Sequence, residues 1–198
     1  GVVMGLTLIK SLTADGDEGL EFIDGADDVV MDNTYNEYQF YFVNMHPETN
    51  GVDFQFQVNA TDDAGGDYDA NAPADTSVIT STTFRAYHDE AGTSTDLTYN
   101  TADDQAQGAA YQTIGNYIGG GAGNDDESCS GVLTIYDPSS PTYVKHFVAR
   151  SSDYMAHDQA GDYFTAGYIN DTTAIDEIRF KMSYGKIDDG TIYMYGVS

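Results

Sequence analysis

A chain of 198 residues and 21.4 kDa holds one ordinary domain or two small ones, and at this size about 70% of the unfolded surface can be buried. The 33 Asp and Glu residues against 7 Lys and Arg leave a net charge of -26, which repels phosphate backbones and anionic bilayers and so excludes nucleic acid and membrane as partners. The 16 tyrosines and 9 phenylalanines are too many for a solvated coil, and no apolar run nears the ~18 residues of a membrane span.

In chain order, residues 4–12 read as a first strand. Glu18 to Ile23 is the second, after the turn Asp15-Gly16-Asp17, and Val29-Val30-Met31 is a short third. Glu37 to Asn44 alternates, with Tyr38, Phe40 and Phe42 on one face and Gln39, Tyr41 and Val43 on the other. That is a period of two, hence a strand. After a turn from His46 to Gly51 the alternation resumes over Val52 to Ala60, with Phe54, Phe56 and Val58 inward, and the two segments are expected to pair as a hairpin. A long polar loop from Asp62 to Ala74 follows, then a strand from Ser77 to Tyr87.

Leu97 to Ile118 is less regular, with Ala102 to Ala110 as the one candidate for a short helix. Gly119 to Gly123 and Asn124 to Glu127 form a loop that is either flexible or a point of close packing. Strands over Gly131 to Tyr136, Tyr143 to Ser151, Tyr163 to Ile169, Glu177 to Met182 and Thr191 to Val197 complete the series. Turn signals every ~8–12 residues point to an all-β, antiparallel β-sandwich of jelly-roll type, a single domain over 1–198. The last two strands should form a closing pair, turning at Asp188-Asp189-Gly190. Ile178, Phe180 and Met182 should line the core, as should Ile192 and Met194, with Tyr193 and Tyr195 outward.

Cys129 is the only cysteine, so no internal disulfide forms. No local base or oxyanion donor accompanies it, and a structural role is expected. Gly1 to Gly5 lacks a basic segment and does not read as a signal peptide. The charge, spread over the expected surface, suits a saline or divalent-rich medium, where self-repulsion is screened.

Several phrases resemble a known class of proteins. They are Tyr35-Asn36-Glu37-Tyr38, Val43-Asn44-Met45-His46-Pro47, Tyr87-His88-Asp89-Glu90, the hairpin segment Asp137 to Phe147, and Ile175 to Phe180. The C-terminal block Gly185-Lys186-Ile187-Asp188-Asp189-Gly190-Thr191-Ile192-Tyr193-Met194-Tyr195-Gly196-Val197 completes them. Over nearly the whole chain the sequence resembles small virion structural proteins of tailed bacteriophages of marine bacteria, cyanophages among them. The resemblance implies a non-enzymatic β-sandwich on the virion surface, assembled in the bacterial cytoplasm. It would serve as head decoration, cement or cap, or as a tail- or fibre-associated protein. Its partners would be capsid or tail subunits and copies of itself, a trimer being favoured. The alternative is a receptor- or carbohydrate-binding module at a fibre tip, facing a host surface glycan through the loops at 62–74 and 119–127. An acidic secreted hydrolase is the third reading.

The chemistry-bearing residues are mostly turn carboxylates. There are five adjacent Asp pairs, most of them at turns where Asp caps its own backbone, and a glycosidase would need two carboxylates at fixed separation in a cleft. Asp67, Asp69 and Asn71 begin like a calcium loop, but Ala72 and Val78 replace its glycine and bidentate glutamate. Two readings stay open: solvated turns, or a calcium site of another kind on Asp67, Asp69 and Asn71, or on Asp125 and Asp126 with Asn124 and Glu127. His46, His88, His146 and His157 have no zinc spacing. His46 reads as a turn residue, and His88 and His146 as structural.

Overall fold

The computed structural model describes residues 5–62 and 77–198. Its strands are β1 (Leu6–Asp17), β2 (Leu20–Ile23), β3 (Glu37–Pro47), β4 (Val52–Ala60), β5 (Ile79–Asp89), β6 (Thr95–Tyr99) and β7 (Ala106–Gly108). They continue with β8 (Gln112–Ile118), β9 (Cys129–Tyr136), β10 (Lys145–Met155), β11 (Gln159–Ile169), β12 (Ile175–Met182) and β13 (Ile187–Val197). Every ladder is antiparallel. The larger sheet runs β1-β13-β3-β9-β10-β11-β5, with β6 and β7 both on the far side of β5; the smaller runs β8-β4-β12-β2. A single bridge, Met155 to Ile118, joins β10 to β8 and stitches the two sheets along one side. The result is an antiparallel sandwich of jelly-roll type, as the strand spacing predicts.

The alternation sets the core. Tyr38, Phe40 and Phe42 of β3 and Ile192 and Met194 of β13 face inward from one sheet; Phe54, Phe56, Phe180 and Phe22 face them from the other. Phe180 meets Phe40 at 5.5 Å and stacks on Phe54 at 5.8 Å, and Phe22 meets Phe40 edge-on at 5.4 Å. Each such ring removes ~150–250 Å² from water, so this aromatic block dominates the packing.

Several expectations fail, two of them on pairing. β3 and β4 share no ladder: β3 pairs with β13 and β9, and β4 with β12 and β8. The turn at Glu48 to Gly51, with Gly51 at φ 74°, is an arch that carries the chain from one sheet to the other. Similarly, β12 and β13 lie in opposite sheets, so they do not form the closing pair, and the Asp188-Asp189-Gly190 segment is an irregularity inside β13 rather than the turn before it. Val29 to Met31 is not a strand. It is a loop that buries Val29 and Met31, held by Met31 N–H donating to Asp24 Oδ1 at 2.8 Å. The 102–110 segment is not helical. It lies along β5, where Ser81 N–H donates to the Gln105 carbonyl at 2.9 Å, and ends in β7. Asp137 to Phe147 does span a hairpin, between β9 and β10.

Candidate functional site: an outward sheet face beside a buried polar network

At the end of the sandwich nearest β8, the interior turns polar. Arg85 reaches inward from β5 and donates through Nη1 to the Asn116 side-chain carbonyl on β8. Asn116 Nδ2 donates to Asp53 Oδ1 at 3.2 Å, and the Asn116 and Tyr117 main-chain N–H groups donate to Asp153 Oδ2 at 2.9 Å and to Asp53 Oδ1 at 2.8 Å. The Tyr163 hydroxyl donates to Asp103 Oδ2 at 2.6 Å. Burial pushes the Asp53 carboxyl above its usual range, the Tyr117 N–H opposing the rise, and lifts Asp153 to about 7. Burial, reinforced by the Asp103 charge, also raises the Tyr163 phenol. Each carboxylate in this network takes at least one internal donor, although Asp153 Oδ1 is left without one, and together they lock β4, β8, β10 and β11. Tyr117 holds a positive φ of 53° here, a strained value for an aromatic residue.

Because Arg85 and Thr83 face this interior, their neighbours on β5 face out. Phe84 is 44% exposed and stacks on Phe164 of β11 at 5.0 Å; Tyr99 of β6 lies in register beside Phe84, and Leu97 is 72% exposed. Across the same sheet, Arg150 pairs in register with Phe164 and forks onto Asp162 at 2.7 and 2.8 Å. Farther along, Tyr41 meets Tyr195 edge-on at 5.6 Å, and Tyr193 pairs with Tyr41 in register. The outward tyrosines are as expected. The exposed Phe84, Leu97 and Tyr99, with half-buried Phe164 beside Phe84, were not anticipated. Their one sequence signal is that Phe84 alternates with Thr83 and Arg85, opposite to the usual sense.

The expected cation ligands divide in two. Asp67, Asp69 and Asn71 lie outside the described residues. Asp125 and Asp126 are exposed in the loop before β9, at the rim of an acidic cleft of about 400 Å³ that also takes in Asp188 and Asp189 from β13. Glu127 is buried there, and burial with the Asp126 charge raises its carboxyl. Among the described residues no three His, Cys, Asp or Glu side chains converge closely enough to hold a metal ion.

His46 is not a turn residue: it is buried at the end of β3, and its Nδ1–H donates to the Glu127 carbonyl at 2.5 Å. Cys129 is buried at the start of β9, where burial pushes its thiol well up, which fits the structural reading. Gly119 and Gly120 are buried rather than looped out, as the close-packing reading has it. No known family, curated protein or solved structure matches this chain.

Proposed function

We propose that this chain is a non-enzymatic structural protein of a tailed-phage virion surface, a decoration, cement or cap protein or a tail-associated one, that works by binding other virion subunits. The observation that carries the proposal is the outward face of the larger sheet, where exposed Phe84 and Tyr99 stand in register with half-buried Phe164 and exposed Leu97 lies in the adjacent row. Contiguous exposed aromatic and apolar side chains on a rigid sheet mark a contact surface. The internal hydrogen bonds that the buried Asp153 and half-buried Asp53 and Asp103 carboxylates each accept support a non-catalytic reading. The resemblance of the C-terminal block to virion proteins supplies the setting. Edge strand β1, with Leu6 and Leu8 each 52% exposed, supports self-association into a symmetric oligomer.

Co-sedimentation with purified particles tests this. The folded protein should pellet with them, and Phe84→Lys combined with Leu97→Glu should abolish pelleting while the circular dichroism spectrum is kept. Equal pelleting of the variant, or none by the parent protein, would overturn the proposal.

A further inference from the structure

A groove crosses the outward face of the larger sheet at right angles to its strands. Ladder register defines it: one row is Ser130, Ser152, Asp162, Ala86 and Leu97, and the next is Ser128, Tyr154, Ala160, His88 and Thr95. Small side chains dominate both rows, so the floor is low. The adjacent row is tall: Arg150, Phe164, Phe84 and Tyr99 form one wall. Turn residues Asp89, Glu90 and Asp126 stand on the other side. Two adjoining open hollows of about 540 and 630 Å³, sharing His88, Ser152 and Ala160, lie along these two rows. The first of them also shares Asp126 and Ser128 with the acidic cleft at Asp188 and Asp189.

The chemistry of an occupant follows from charge. The rim is acidic and the far end is apolar at Leu97. A second copy of this chain is a poor source of cations. Of its seven basic side chains, Lys10 holds the Asp27 carbonyl, Arg85 holds Asn116, and Lys145 is buried against three carbonyls. Arg150 and Arg179 pair with Asp162 and Glu21, and Lys181 sits over the Tyr111 ring at 4.6 Å. Lys186 alone has no side-chain partner among the described residues. The dimension follows from geometry. From β9 to β6 the groove crosses four strand spacings of ~4.8 Å, or about 19 Å, which an extended segment at ~3.3 Å per residue spans with about six residues.

We propose that this groove docks a basic, extended segment of about six residues from a different protein, its cations on the Asp89, Glu90 and Asp126 side and an apolar residue against Leu97. The proposal deepens the reading of this face as a contact surface and rests on it.

The probe is a fluorescein-labelled peptide of alternating arginine and valine, six residues long, with a glutamate-valine peptide as control. Binding to the intact chain should be saturable, absent for the control and weakened by salt, because the rim charges are exposed. Ala160→Phe fills the exposed floor and should weaken binding at least about tenfold, as should Ser152→Tyr. Glu90→Gln with Asp126→Asn should weaken it several-fold, while Asp27→Asn with Asp28→Asn, matched in charge but remote, should not. No saturable binding, or equal loss in the remote variant, would overturn the groove. Two results separate the groove from the virion reading. If Ala160→Phe loses the peptide and the parent protein ignores particles, the groove stands and the virion setting falls. If Ala160→Phe pellets with particles and binds the peptide undiminished, the reverse holds.

Discussion

Asp153 Oδ2 accepts the main-chain N–H of Asn116 at 2.9 Å, while Oδ1 lies buried with the Ser151 hydroxyl beside it but outside hydrogen-bonding geometry. One donor does not repay the desolvation of a carboxylate. Its pKa therefore rises to about 7 from an ordinary 3.8. The folded state holds the proton more tightly than the unfolded chain, so this group's contribution to stability is greatest at low pH and falls as pH climbs from about 4 to about 7. Asp53 and Glu127 are raised too, and Glu177 reaches about 7 through burial and its neighbours Glu21 and Asp176, so all four act in the same direction. Urea denaturation should give a higher midpoint at pH 5.5 than at pH 8. Asp153→Asn should raise the unfolding free energy at pH 8 by a few kcal/mol and flatten its slope against pH. A variant with the parent's slope would refute the assignment.

Lys145 is fully buried, and its ammonium donates to the carbonyls of Ser140, Asp171 and Thr173. It thereby ties the loop after β9 to the loop before β12. Lys145→Met keeps much of the volume but strands three carbonyls, at a cost of about 3–5 kcal/mol. A denaturation midpoint equal to that of the parent protein would show that water replaces the ammonium freely.

Phe180 touches rings from both sheets. Phe180→Ala should destabilise by about 3–5 kcal/mol, readable as a lower thermal midpoint. Gly131 is tighter still: a Cβ there would lie 2.3 Å from the Arg150 carbonyl and 2.7 Å from the Phe42 ring. Gly131→Ala must part β9 from β10 or displace Phe42, and soluble yield should drop with stability.

The Arg150–Asp162 fork makes a contrast. Its side chains are 65% and 49% exposed, where ion pairs contribute little and salt screens them. Arg150→Ala should leave the denaturation midpoint where it is, at low and high salt alike. A marked loss would mean that the guanidinium supports Phe164 sterically.

The strand at 52–60 was legible residue by residue, since buried and half-exposed positions alternate through Gln55. Its partner was not. Phe42 and Phe54 each announce an inward face, and that pattern is the same whether two strands share a ladder or confront each other across a core; here their rings meet at 5.2 Å across it. At β5 the pattern points the wrong way, because Arg85 is drawn inward by Asn116 and Asp53 and leaves Phe84 outside. The groove was beyond reach for the same reason: Ser130, Ser152 and Ala86 lie far apart in the chain and become neighbours through register alone. The acidic cleft was half legible, as Asp125 and Asp126 were singled out while Asp188 and Asp189 were read as an isolated turn.

The pairing of β1 with β13 has a consequence in time. The Thr13 and Thr191 hydroxyls touch at 2.9 Å although 178 positions separate them. On a ribosome, β1 is made well before β13, its one ladder partner among the described residues, and waits until β13 emerges. Closure of so distant a contact is slow. Until then Leu6 and Leu8 belong to an unpaired, apolar strand, so nascent chains are most vulnerable to mutual aggregation while β13 is still to be made.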